Sequence, residues 1–153
     1  LRFFQSGVFC LCLAVQAAVC ACRRVGQREY LRKLLFAEGY RYRISEKSIP
    51  GHPDMFLRKY NTAIFVHGCF WHRHQGCKYA YTPKSRVEFW QKKFDDNVRR
   101  DIVVGAALQE KKIKCLIVWE CTIKRMMKNP DIKCEIIHKC SKFLCSEELR
   151  MEL

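Results

Sequence analysis

Residues 67 to 77 read HGCFWHRHQGC. Three of the chain's five histidines, two cysteines and an adjacent Phe-Trp pair fall within these eleven residues. A segment this short cannot build a hydrophobic core of its own, so something else must hold its side chains. Cys69, His74 and Cys77 follow the spacing C-x4-H-x2-C. Three soft or borderline ligands so close together suit tetrahedral zinc. A closed structural site needs a fourth ligand. Cys121, directly after the apolar run LIVWE, is the strongest candidate. His72 is nearer in sequence but, two residues from His74, can equally face away. The competing account is a set of ordinary core cysteines and surface histidines.

The flanking sequence predicts what this segment is anchored to. MFLRKYNTAIFVHG reads as two strands around a polar turn at Arg58 to Asn61, and AIFV and IKCLIVWEC read as buried strands. QREYLRKLLFAEG has helical spacing, with Gly39 as a stop. YRYRI alternates and predicts a short strand; SIPGHPD is a turn. Ser85 and Glu88 fit a capping box opening a long helix to about Lys112, with Gly105 as its weak point. Val87, Trp90, Phe94, Val98 and Ile102 would form its apolar stripe. The tail from Pro130 predicts a helix buried through Ile132, Ile136, Ile137, Cys140, Phe143 and Leu144. The order implies an α/β fold with a mixed sheet.

The 153 residues carry 29 Lys+Arg against 15 Asp+Glu, a net charge of +14. That excess favours a polyanionic partner, nucleic acid first and an anionic membrane second. Eleven cysteines, an odd number mixed with clustered histidines, point to a reducing compartment with a metal site rather than a disulfide scaffold. Phe3 to Cys22 holds no charged residue and looks like a secretory signal or a marginal membrane span.

Three further groups can carry chemistry. Asp54, at a turn-to-strand junction, can hold a hard cation such as Mg²⁺ or merely cap the turn. Asp101 lies beside the apolar stripe of the long helix. It is either solvated there or the carboxylate partner that makes a histidine an effective base. Phe70, Trp71 and Trp90 are either packed aromatics or wedges for a DNA base stack.

PGHPD, FVHGCFWHRHQGC, EFW, NVRRD and LIVWEC occur in this order. On these motifs the chain, from about Tyr30 to Leu153, resembles the very-short-patch repair (Vsr) DNA mismatch endonucleases. The resemblance implies a restriction-endonuclease-like α/β fold: a central mixed β-sheet flanked by helices, with a structural zinc site. It implies a Mg²⁺-dependent nick in one strand of duplex DNA, 5′ to the thymine of a T:G mismatch left by deaminated 5-methylcytosine. Asp54 and the Val66 backbone carbonyl would bind Mg²⁺, His72 would be the general base supported by Asp101, and His67 would support water and phosphate. Cys69, His74, Cys77 and Cys121 would hold zinc, and Phe70, Trp71 and Trp90 would enter the stack at the mismatch. The implied partner is mismatched duplex DNA, with mismatch-repair proteins as further partners. A monomer without an organic cofactor is expected.

The family pattern places a glutamate on the first helix near the site. Here Arg28 stands in that position, and Glu29 comes one residue late. Residues 1–26 also depart from the pattern, and a wrong start or a frameshift upstream of about residue 28 is the simplest expectation. The endonuclease domain is then 27–153 and the protein cytoplasmic. A zinc-stabilised DNA-binding relative that no longer cuts, and an exported or membrane-anchored basic protein, are the alternatives.

Overall fold

The computed structural model describes residues 26–153. The expectation for residues 1–26 falls, but for Gly26, outside the described residues. The elements run α1 (Gln27–Ala37), β1 (Met55–Leu57), β2 (Thr62–His67), α2 (Val87–Glu110), β3 (Lys114–Trp119), α3 (Glu120–Lys128), α4 (Pro130–Cys145) and β4 (Arg150–Glu152), with a 3-10 turn at Arg58–Tyr60. They form a mixed four-stranded sheet in the order β1-β2-β3-β4. β1 and β2 are antiparallel, whereas β2, β3 and β4 run parallel. Among the described residues no helix is long and apolar enough to cross a membrane.

The central strands β2 and β3 are buried along their whole length. Their side chains alternate between two faces of the sheet. Ile64, Val66, Leu116 and Val118 face one cluster, completed by α1, α3 and α4. Ala63, Phe65, Cys115 and Ile117 face a smaller one that includes Leu108 of α2. The same alternation sends His67 to the α2 side, at the carboxyl end of β2.

α1 forms as its spacing predicts, burying Tyr30, Leu31, Leu34 and Leu35. Gly39 ends it at φ 89°, a left-handed conformation that favours glycine. α4 begins with Asn129 accepting from the N–H groups of Asp131 and Ile132, with Pro130 in the first turn. Its C-terminal carbonyls are closed by Lys114 Nζ, which donates to Phe143 (2.5 Å), Leu144 (3.1 Å) and Ser146 (2.8 Å).

Four expectations need correction. Tyr40 to Ile44 is no strand: only Arg43 pairs, in a single bridge to Phe56. The three-residue β1 offers little edge to pair with, and Ser45 at φ 52° turns the chain away. Ser85 does not cap α2; the cap position is Arg86 at φ 52°, without a side-chain hydrogen bond. The apolar stripe of α2 is largely unburied: Val87 is 48% and Ile102 65% exposed, and only Phe94 and Leu108 are buried. The strand LIVW stops at Trp119, and Glu120 and Cys121 open α3 with no loop between. β4 belongs to the sheet without any signal of its own in the sequence. Gly105 leaves α2 unbroken.

Candidate active site and metal centre

The Asp54 turn is fixed from two sides. Gly51, at φ 79°, lies so close to α2 that an added Cβ would meet Val104 Cγ1 at 2.5 Å. Beyond the turn, Asp54 Oδ2 accepts the Val66 N–H at 2.8 Å. In an extended strand the N–H and C=O of one residue point to the same edge. The Val66 carbonyl therefore lies on the Asp54 side, just past the end of β1. Asp54, 15% exposed, and the Val66 carbonyl put two hard oxygens on one edge, the donor type that a magnesium ion takes.

Asp54 Oδ1 faces Arg28 Nε at 3.0 Å. Glu29 does not reach the turn. It is 54% exposed and pairs with Lys33 at 2.8 Å.

His72 and Asp101, twenty-nine residues apart, meet across the cleft: Nδ1 of His72 donates to Asp101 Oδ2 at 2.6 Å. The carboxylate fixes the tautomer, leaving Nε2 as the free lone pair. His67 stacks on His72, ring centroids 3.9 Å apart and planes 11° from parallel. Burial, with the charge of His72 second, pushes the His67 imidazole down to about 4. It is therefore neutral near pH 7, and the stack holds no pair of adjacent cations. One ligand atom each of His67, His72 and Asp101 lie within 4.8 Å of one another. Nearly parallel rings, however, cannot both hold one ion in their planes, so chelation by both histidines requires one ring to turn.

Asp54, His67, His72 and Asp101 line a single cleft of about 310 Å³, joined there by Arg28, Arg100 and Arg150. His67, His72 and Asp101 also border a larger groove of about 980 Å³ with Arg73, Arg99 and Arg150. Gly105 gives Arg150 its place: a Cβ there would sit 3.0 Å from the guanidinium.

The second cluster joins Cys69, His74, Cys77 and Cys121, with one ligand atom of each within 4.8 Å of the others. His74 Nδ1 lies 3.6 Å from Cys69 Sγ and 3.4 Å from Cys121 Sγ. A tetrahedral zinc with ordinary Zn–S and Zn–N bonds would separate such atoms by about 3.6 Å. The donor set and its spacing thus fit zinc. Burial, followed by the neighbouring Cys121 and Cys77, pushes the Cys69 thiol up to about 12. Thiols this crowded resist ionising together unless a cation compensates them. His74 stacks on Trp119 at 4.1 Å, which fixes its ring at the end of β3.

A family model described as DNA mismatch endonuclease Vsr matches residues 17–78. The chain is 36% identical over 127 residues to DNA mismatch endonuclease Vsr of Escherichia coli (strain K12), a match covering 83% of this chain and 80% of that protein. The chain belongs to the Vsr DNA mismatch endonuclease family. It is also 44% identical over 94 residues to the type II nicking enzyme V.NmeAIP of Neisseria meningitidis, covering 61% of this chain and 66% of that enzyme. For V.XorIIP of Xanthomonas oryzae pv. oryzae the values are 41% over 93 residues, 61% and 68%. Members of the Vsr family are DNA endonucleases.

In this Vsr-family chain the aromatics form one cluster. Phe70 is its hub, with ring centroids 5.1 Å from Trp71, 5.5 Å from Trp90 and 5.1 Å from Phe94. Trp71 is 48% exposed, whereas Phe70 and Trp90 are half-buried. Two contributors escape a reading of spacing. Tyr81, 64% exposed, packs 5.2 Å from Phe70. Arg73 lies 4.4 Å over the Phe94 ring and donates to the Tyr81 carbonyl and Thr82 Oγ1. Arg150 of the cleft also carried no local signal, because it arrives on the unforeseen β4.

Proposed function

We propose that this chain nicks one strand of duplex DNA 5′ to the thymine of a T:G mismatch, within a restriction-endonuclease-like fold. The observation that carries the reading is the single cleft uniting Asp54 with the His72–Asp101 pair. Asp54 and the Val66 carbonyl would hold Mg²⁺. Bound there, the ion would stabilise negative charge on the phosphate oxygens. His72 Nε2 takes a proton from water. The water oxygen forms a new bond to phosphorus, and the opposite P–O bond of the diester breaks. Asp101 keeps the His72 tautomer and steadies its positive charge. Neutral His67, stacked on His72, can hydrogen-bond the water or a phosphate oxygen. Arg100 and Arg150 draw the backbone into the cleft.

Zinc on Cys69, His74, Cys77 and Cys121 would fix the loop that carries His72 and Trp71. The aromatic cluster is the mismatch wedge in this reading, Trp71 leading from its exposed position with Phe70 and Trp90 behind it. The partner is duplex DNA, and the proposed unit a monomer.

A second reading is a family member that binds DNA without cutting. The Arg28–Asp54 ion pair favours it, because it engages the carboxylate. One assay separates the two. A T:G duplex with Mg²⁺ should be nicked 5′ to the thymine, and Asp54→Ala should slow nicking by about 10²- to 10³-fold, the scale of losing a charge-stabilising group. Binding without nicking by the intact chain would establish the second reading. Equal nicking of T:G and T:A duplexes would remove the mismatch specificity.

A further inference from the structure

α1 presents two arginines, one helical turn apart, to the Asp54 turn. Arg32 Nη2 donates to the Asp54 carbonyl at 2.9 Å and pins the backbone. Arg28 Nε meets Oδ1 at 3.0 Å. The Val66 N–H already engages Oδ2. Both carboxylate oxygens are therefore in use, one of them by a cation. A magnesium ion coordinates oxygen at about 2.0–2.1 Å. It cannot add to Oδ1 beside a guanidinium without strong like-charge repulsion. Arg28 is nevertheless 65% exposed, and Asp54 only 15%. The arginine can thus leave while the carboxylate stays in place.

We propose that Arg28 is an internal cation at the Asp54 site, so that guanidinium and divalent metal bind the carboxylate in competition. The inference rests on the reading of Asp54 as a cation ligand. It has a consequence for loading. A DNA phosphate entering the cleft offers the Arg28 guanidinium a second, bidentate anion. Moving there frees Oδ1, so DNA and metal assist each other's binding. Away from DNA, the site stays poorly charged with metal.

The test is Mn²⁺ titration of the zinc-loaded full chain, with free Mn²⁺ read by electron paramagnetic resonance. Wild type, Arg28→Gln, Arg28→Ala, Arg28→Lys and Asp54→Asn are compared, each with a melting curve. The two neutral variants should bind Mn²⁺ about 1.5- to 5-fold more tightly than wild type, the range set by the strength of exposed ion pairs. Arg28→Lys, which keeps the charge, should stay near wild type, and Asp54→Asn should lose the site. Neutral variants that bind no more tightly, while Asp54→Asn abolishes binding, would overturn the competition and leave the metal site standing. Unchanged binding by folded Asp54→Asn would remove the Asp54 site itself, and the inference with it.

Discussion

The two faces of the sheet are built for different ends. On one, α1, α3 and α4 close over Ile64, Val66, Leu116 and Val118 with an almost wholly apolar cluster. On the other, α2 contributes only Phe94 and Leu108 as buried residues over its 24 positions. The space that α2 does not fill is the cleft of His67, His72 and Asp101. A face packed tightly throughout has no room for water and phosphate. Apolar packing is concentrated on one side and the other stays open; in the proposed reading, zinc on the Cys/His cluster holds the loop there in place of an apolar core.

The largest expected effect tests that division. Structural zinc sites in small domains bind with about 10–16 kcal/mol, energy that appears as folding. Stripping zinc with a chelator under reducing conditions should abolish nicking. Hydrogen exchange should rise about 10³-fold or more in residues 68–82 and the first turns of α2, where the aromatic cluster loses its anchor. Amides of β2, β3 and α4 should keep their protection. Equal loss throughout the chain would mean that the two faces are one cooperative unit.

The second effect is the converse. Phe143 is fully buried on the apolar face, at the end of α4. Phe143→Ala should cost about 3–5 kcal/mol of stability, the usual range for a large aromatic core truncation. Below the lowered melting temperature, the nicking rate and the Mg²⁺ requirement should be unchanged. A rate loss in the folded variant would show that packing on this face positions the cleft.

The apolar face was also the legible one. Uninterrupted runs such as AIFV and CLIV, short and flanked by polar residues, read as strands buried on both faces, and the spacing of α4 marks the side it turns to this cluster. α3 was missed because it follows Trp119 with no loop and carries few apolar positions, Ile123 and Met126 among them. β4 is three residues set by its neighbour's backbone: Cys115 donates to Leu149, and Leu153 to Ile117. Nothing in Arg150–Glu152 announces a strand. In the site, ligand-type residues were legible because chemistry restricts them to few amino acids. The direction in which Arg28 points was not, since an arginine on a first helix turn is usually solvated. The stripe on α2 failed for the opposite reason: periodicity records which residues share a helical side, and says nothing of whether anything covers that side.

Ile102 puts that last point to a small but sharp test. It continues the spacing of Phe94 and Val98, yet it is 65% exposed and borders the 980 Å³ groove, whereas Phe94 is 1% exposed. If spacing alone decided burial, truncating either would cost alike. On the structure, Phe94→Ala should lose about 3 kcal/mol or more. Ile102→Ser should stay within about 0.5 kcal/mol of wild type, as substitutions at exposed positions do. Paired denaturant melts at one pH and salt concentration measure both. A loss near 2 kcal/mol for Ile102→Ser would mean that α2 is covered in solution, and the contrast between the two faces would shrink accordingly.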